Sequence, residues 1–254
     1  MTAARWTETG GSAGRDVILL CNPLGAALEV WDPMVGSLRR QHRVVRYDSP
    51  GHGGSPLADG IDIRSLTEVA VGVLDAAGAE RAHVVGLSLG GMVGLSLAAV
   101  HPSRVVSLSV VCSAAYFPDK ELWRQRAALA RSGGMAELAD GSLSRWFTPA
   151  WAERNPAVID DARAMFLATD PEGYARTAEA LGALDLRPAL GSVGCPTLVV
   201  AGDVDPSTPP AMLREIADGV PDARYEELAG AHWLPVEQSQ ALGALVLPFI
   251  EAAH

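Results

Sequence analysis

The chain has 254 residues, of which 48% are hydrophobic, and it carries a formal net charge of −10. A chain of this length can bury a substantial core, and its apolar content indicates an ordered globular protein rather than a disordered one. Because nucleic acids and anionic membranes are both bound through basic surfaces, the acidic balance argues against either of them as a partner.

Residues 1–16 contain no continuous apolar run of the signal-peptide kind, and no apolar segment of the chain is long enough to span a bilayer. We therefore expect a soluble, cytoplasmic protein. The cysteines Cys21, Cys112 and Cys195 are widely spaced and form no CxxC pair. Their pattern predicts free, buried thiols rather than a disulfide framework or a zinc site.

Short, nearly unbroken apolar segments alternate with helical patterns along the chain. Continuous apolar segments are typical of strands buried on both faces of a mostly parallel sheet, so the sequence predicts an α/β fold. The predicted strands cover residues 16–22, 43–48, 82–87, 104–113, 196–203 and 223–228. The predicted helices cover residues 64–78, 89–101, 209–218 and 236–252.

Residues 115–188 show a different pattern, with short amphipathic stretches and no convincing strand. We expect a helical lid inserted into a core made of residues 1–114 and 189–254. Since ligands bind beyond the carboxyl ends of parallel strands, this lid should cover the site and select the substrate. Its helices are predicted to break at Gly133-Gly134, Pro149, Pro156 and Pro171.

The segment Gly86-Leu87-Ser88-Leu89-Gly90 lies at a predicted junction between a strand and a helix. One interpretation is a glycine-rich turn in which Ser88 caps the helix. The other is a nucleophile on a tight turn, whose neighbours are small because the strand and helix backbones approach closely there. The nucleophile interpretation requires a base and an acid further along the chain.

Candidates for both partners follow later predicted strands. Asp203 and Asp205 come after the strand at 196–203, and His232 comes after the strand at 223–228. We expect His232 to be the base and Asp205 to be the acid, because the acid usually lies a few residues beyond the strand. Asp203 is then expected to brace the loop through neighbouring backbone amides.

An oxyanion hole needs two backbone N–H groups directed at the developing negative charge. One is expected from Leu89, the residue after the nucleophile. The other is expected from Leu24, in a loop that Pro23 and Gly25 shape, although these two residues could equally punctuate an ordinary loop.

Several segments together resemble the α/β-hydrolase superfamily, and within it the 3-oxoadipate enol-lactonases. The resemblance implies an α/β-hydrolase fold with Ser88, Asp205 and His232 as the catalytic triad and with Leu24 and Leu89 as oxyanion donors. It also implies the hydrolysis of an enol-lactone in aromatic-acid catabolism, without a cofactor or a metal. The segments that carry it are LLCNPLGAALEVWDP (19–33), RVVRYDSPGHGGSP (43–56), HVVGLSLGGMVGLSLA (83–98), RWFT (145–148), GYA (173–175), PTLVVAGDVDPSTPP (196–210) and AHWLPVEQ (231–238).

The sequence departs from the family's pattern beside the predicted site. Pro50 stands where the family has an arginine, Pro235 replaces an asparagine, and Trp233 is bulkier than the usual leucine. These changes leave the triad intact and alter its surroundings, so Trp233 is a candidate substrate contact. A carboxylate on the substrate would need a cation, and among the lid arginines we expect Arg145 to bind it, with Trp146 beside it.

The leading hypothesis is a serine hydrolase that opens a small lactone or ester through an acyl-enzyme. The same triad also supports C–C hydrolysis, perhydrolysis, or a biosynthetic acyl transfer or cyclisation. A ligand-binding sensor could also use this fold, because a fold does not determine a function.

Overall fold

The computed structural model describes residues 4–10 and 16–253. Its centre is a seven-stranded sheet in the order β1-β3-β2-β4-β5-β6-β7, in which β1 is antiparallel to β3 and all other neighbours are parallel. The α/β class and the mostly parallel sheet are therefore confirmed. The strands are β1 (Trp6–Thr9), β2 (Val17–Cys21), β3 (Arg43–Tyr47), β4 (Ala82–Leu87), β5 (Val105–Val111), β6 (Thr197–Gly202) and β7 (Ala223–Leu228).

Helices cover both faces of the sheet and fill the connections between its strands. None of the helices in the described ranges is long and apolar enough to cross a membrane. In chain order they are α1 (Asp32–Leu38), α2 (Ile63–Ala76), α3 (Leu89–Val100), α4 (Lys120–Arg131), α5 (Met135–Trp146), α6 (Pro149–Arg154), α7 (Pro156–Leu167), α8 (Pro171–Ala183), α9 (Pro210–Gly219), α10 (Leu234–Glu237) and α11 (Ser239–Ala252).

The sheet separates two apolar cores because side chains alternate across a strand. In β2, Val17 and Leu19 pack with α2, α3 and α9, whereas Ile18 and Leu20 pack with α1, α11 and the helices between β5 and β6. Both faces of β2 are therefore buried, which explains why its sequence is continuously apolar.

Three elements differ from the sequence prediction. The four-residue edge strand β1 was not predicted, because it is short and polar at Glu8 and Thr9. Helix α1 was not predicted either. The single helix expected over 236–252 is two helices, because Gln238 has φ −131° and interrupts the helical backbone.

Helices α4–α8 form the insertion between β5 and β6. The two ends of this insertion lie side by side, since Tyr116 and Asp185 form an isolated antiparallel bridge and the Leu186 amide donates to the Ala115 carbonyl at 2.8 Å. Within it, Gly133 adopts φ +89° just after α4. The three prolines at which breaks were expected are the first residues of α6, α7 and α8.

The insertion is held against the core by the close approach of two glycines. A Cβ atom on Gly173 of α8 would lie 2.7 Å from the Gly51 Cα atom, which is shorter than real Cβ contacts allow. The Asp170 amide donates to the Gly51 carbonyl at 2.9 Å beside this contact. A side chain at either glycine would push the insertion away from the core.

We therefore expect Gly173→Ala to lower the free energy of unfolding by about 1–3 kcal/mol, because backbone must shift to admit the methyl group. The matched control is Gly72→Ala, at a helical glycine of α2 with no atom within 4 Å of an added Cβ. That change should stabilise the protein by about 0.5–1 kcal/mol, as glycine is a poor helix former. Urea denaturation measures both, and equal stability of the two variants would contradict the packing argument.

Candidate active site

Ser88 lies on a strained turn between β4 and α3. Its backbone has φ 55° and ψ −115°, and Cys112 is the other non-glycine residue with a positive φ among residues 4–10 and 16–253. Such a conformation costs about 1–3 kcal/mol and persists only where the surrounding structure enforces it. The Ser88 amide donates to the Val111 carbonyl at 2.9 Å, and Ser113 Oγ donates to the Ser88 carbonyl at 2.7 Å.

The glycines around Ser88 are required by the packing of this turn. A Cβ on Gly86 would lie 2.1 Å from the Gly90 carbonyl oxygen, and a Cβ on Gly90 would lie 2.0 Å from the Cys21 carbonyl oxygen. Both contacts are to backbone, which cannot move aside. The nucleophile interpretation of this segment fits this geometry better than the capping one, since the Ser88 side chain makes no capping hydrogen bond to α3.

Asp205 and His232 form a buried hydrogen-bonded pair. Asp205 Oδ2 lies 2.7 Å from His232 Nδ1, and the two residues are 2% and 4% exposed. Thr208 Oγ1 also donates to Asp205 Oδ2 at 2.7 Å, and the Ser207 amide donates to Oδ1 at 2.8 Å. Burial alone would raise the pKa of Asp205, but the charge and hydrogen bonds of His232 and Thr208 outweigh it and hold the pKa below its ordinary value.

The ionised carboxylate fixes the proton of His232 on Nδ1 and leaves Nε2 free to accept another. Asp203 has a different role, because its Oδ1 accepts a hydrogen bond from the Gly230 amide at 2.9 Å and braces the histidine loop. Thr208 was not predicted as a partner of the acid.

Ser88 and His232 line one cavity of about 190 Å³ beneath the insertion. No hydrogen bond joins the Ser88 hydroxyl to the imidazole within the described ranges. Catalytic hydrogen bonds of this kind are often long without substrate and tighten when it binds. The cavity wall is formed by Pro23, Leu24, Ser88, Phe117, Leu122, Trp123, Arg126, Ser142, Arg145, Trp146, Leu181, Pro206, Ser207, Thr208 and His232.

The loop that carries Leu24 is fixed from several sides. Asn22 Nδ2 donates to the Tyr47 carbonyl at 2.7 Å, and Asp48 Oδ1 accepts from the Leu28 amide at 2.7 Å. Gly25 has φ +78°, and a Cβ there would lie 2.6 Å from the Phe166 ring of α7. The Leu89 amide opens α3, where a helix leaves its first N–H groups without internal partners. These features suit two amides directed at an oxyanion.

Two arginines enter the cavity from the insertion without a carboxylate partner in the part of the chain that the structure describes. Arg126 Nε donates to the Tyr174 hydroxyl at 3.0 Å, and its Nη2 donates to Ser142 Oγ at 3.0 Å. Burial, together with the charge of Arg126, lowers the pKa of Arg145. Arg126 was not singled out from the sequence, because its position among the lid arginines carries no local signal.

The aromatic candidates occupy different places. Trp146 lines the cavity, and Trp233 stacks behind it with ring centroids 4.0 Å apart, outside the cavity wall. Pro50 and Pro235 are buried and also lie outside the wall. All three sequence departures therefore lie outside the cavity wall.

Cys112, Asp205 and His232 are the one group of potential metal ligands found in the described ranges, with donor atoms within 4.8 Å of one another. Asp205 and His232 already use their facing atoms on each other. Burial and the charge of Asp205 raise the pKa of the Cys112 thiol well above its ordinary value, whereas a metal needs the thiolate. The cluster fits an acid–base pair better than a metal centre.

Residues 16–238 match the family described as alpha/beta hydrolase fold. The chain is 32% identical to 3-oxoadipate enol-lactonase 2 of Acinetobacter baylyi, over 94% of this chain and 90% of that one. It is 34% identical to RutD of Azorhizobium caulinodans, whose name proposes a carbamate hydrolase, over 91% and 90%. The crystal structure of the enol-lactonase from Burkholderia xenovorans LB400 is 39% identical, with a TM-score of 0.95 over 98% of this chain and 96% of that one.

The strain at Ser88 predicts an unusual order of stabilities. Glycine adopts a positive φ freely, so Ser88→Gly should be more stable than Ser88→Ala. We expect its free energy of unfolding to be about 1 kcal/mol higher. At Ser96, inside α3, the order should reverse because glycine disfavours a helix. Chemical denaturation of the four variants tests this. If Ser88→Ala is at least as stable as Ser88→Gly, as is expected for the alanine and glycine variants of Ser96, the turn stores no strain.

Proposed function

Because this chain belongs to the α/β-hydrolase fold family, we propose that it is a serine hydrolase that opens a small, carboxylate-bearing lactone of the 3-oxoadipate enol-lactone type, as a step in aromatic-acid catabolism. The observation that carries the proposal is one cavity lined by Ser88, His232 and two arginines that have no acidic partner among the described residues. The similarity to enol-lactonases over nearly the whole chain supports the same chemistry.

The reaction begins with the transfer of the Ser88 hydroxyl proton to His232 Nε2. The Ser88 Oγ atom attacks the lactone carbonyl, and the Leu24 and Leu89 amides stabilise the resulting oxyanion. Asp205 stabilises the imidazolium without taking its proton. When the ring C–O bond breaks, His232 returns the proton to the leaving oxygen, and the product is an acyl-enzyme.

Water completes the cycle by the same steps. His232 removes a proton from a water molecule, which attacks the acyl carbonyl, and the C–O bond to Ser88 breaks as Oγ regains its proton. In an enol-lactone the leaving oxygen is an enol, which relaxes to a ketone. This relaxation makes the ring opening effectively irreversible.

The arginines account for substrate selection. An enol-lactone of a dicarboxylic acid keeps one carboxylate free after the ring has closed on the other. An arginine in a partly buried site binds a carboxylate through charge-assisted hydrogen bonds. The net charge of −10 repels such a substrate at long range, so a local cation is needed.

Carbamate hydrolysis is a second candidate, favoured by the 34% identity to RutD of Azorhizobium caulinodans. It would use the same nucleophile and oxyanion donors, with nitrogen rather than oxygen as the leaving atom. The enol-lactonase structure, with higher identity and coverage, supports the lactone more strongly.

A substrate panel tests the function. Purified protein should turn over freshly generated 3-oxoadipate enol-lactone faster than a neutral lactone, an aryl ester or a carbamate. Ser88→Ala should lower kcat by about 10⁴-fold or more, because no nucleophile remains. Turnover confined to the neutral compounds or the carbamate would refute the proposed substrate, and an active Ser88→Ala protein would refute the site.

Arg145→Gln tests the basis of selection. Removing the charge should raise KM for the carboxylate-bearing lactone by about 10–100-fold, with little change for a neutral aryl ester. Arg163→Gln is the matched control, since Arg163 of α7 pairs with Asp140 on the surface of the insertion. Steady-state kinetics on both substrates decide the point, and an equal effect of the two substitutions would count against a carboxylate subsite at Arg145.

A further inference from the structure

The segment of the insertion that follows Arg145 lies directly against the loop that carries His232. We name this contact the lid–histidine junction and define it by residues 146–148, residues 231–233 and Glu237. The Trp233 amide donates to the Trp146 carbonyl at 2.9 Å, and the two indole rings stack. Arg145, the proposed substrate-binding residue, directly precedes this junction in the chain, and His232, the proposed base, lies within it.

Glu237, the last residue of α10, joins both sides of the junction through its carboxylate. Oε2 accepts from the Ala231 amide at 3.1 Å and from the Thr148 amide at 3.3 Å, while Oε1 accepts from the Thr148 hydroxyl. Thr148 precedes α6 at the position where a threonine side chain usually caps a helix, yet it makes no capping bond. Its hydroxyl is used for the junction instead.

From these contacts we propose that Glu237 is a positioning residue, which sets the orientation of the Arg145–Thr148 segment and of the His232 loop together. Glu237 does not line the cavity, so its effect is exerted through Ala231 on one side and Thr148 on the other. The catalytic part of this inference rests on the proposed function.

A carboxylate suits this position because its two oxygens can only accept hydrogen bonds, and the three groups that they contact, two amides and one hydroxyl, all donate to them. Glutamine keeps one acceptor oxygen for the two amides, but its amide nitrogen would face the Thr148 hydroxyl, which must then turn from donor to acceptor, and the negative charge that strengthens these bonds is lost. Glutamine should therefore keep part of the junction, and alanine should lose all of it. Because Arg145 and His232 depend on opposite sides of the junction, its loss should affect both substrate binding and turnover.

Kinetics of a variant series measure this coupling. Glu237→Ala should raise KM for the carboxylate-bearing lactone and lower kcat, with kcat/KM falling by about 10-fold or more, and Glu237→Gln should be intermediate. For a neutral aryl ester only kcat should fall. Thr148→Val should reproduce part of the loss, and Thr148→Ser, which keeps the hydroxyl, should restore it. Glu251→Ala, an exposed glutamate of α11, is the control.

A purely structural role would lower thermal stability and leave kcat and KM of the folded protein unchanged, which would overturn the proposal. Equal losses in Thr148→Ser and Thr148→Val would overturn it as well. Because these threonine variants change one side chain at the edge of α6, they decide the question even where Glu237→Ala fails to fold.

A second measurement needs no catalysis and so separates this inference from the proposed function. In a Ser88→Ala background, Glu237→Ala should accelerate hydrogen exchange of the Ala231 and Trp233 amides by about 10-fold or more, while amides of β6 remain unchanged. Unchanged exchange at Ala231 and Trp233 would refute the junction. Faster exchange at these two amides, together with no lactonase activity in the protein that retains Ser88, would refute the proposed function and leave the junction standing.

Discussion

The close approach of β4 and α3 is the constraint on which the rest of the site depends. With glycine at 86 and 90, the helix backbone packs onto the strand backbone, and the residue between them is forced to a positive φ. This geometry lifts a hydroxyl clear of its own chain at the carboxyl edge of the sheet. The residues interpreted as acid and base reach the same edge, because β6 and β7 run parallel to β4 and their following loops carry Asp205 and His232.

Electrostatics divides the site into two parts with opposite requirements. Behind the histidine, one carboxylate is buried and fully bonded, so that its negative charge is available to the imidazolium. Across the cavity, Arg126 is held by two neutral hydroxyls, and neither Arg126 nor Arg145 pairs with a carboxylate in residues 4–10 and 16–253. A guanidinium with neutral partners keeps its charge available for an anionic ligand, whereas one paired with glutamate would not. The cavity thus favours an anion in a protein whose overall charge is negative.

Much of the fold could be predicted from the sequence because its signals are local. Five of the predicted strands lie in nearly continuous apolar segments, and the prolines at 149, 156 and 171 each open a helix of the insertion. The residues interpreted as nucleophile, acid and base all follow predicted strands, and strand order brings their loops to one edge. Trp233 shows where such reasoning stops, since only its stacking on Trp146, 87 positions earlier in the chain, explains why it lies outside the cavity. Arg126, Thr148 and Glu237 likewise gain their roles from long-range contacts that no local pattern encodes.

The side-by-side ends of the insertion have a consequence for how such a protein can change. Tyr116 and Asp185 meet across one bridge, so the five helices between them leave and rejoin the sheet at a single point. Lengthening or shortening a segment that begins and ends in one place does not alter the spacing of β5 and β6. The closure entropy of such a loop also grows only slowly with its length. New substrate pockets can therefore be built above an unchanged catalytic edge, which makes the insertion a replaceable module and the sheet its fixed support.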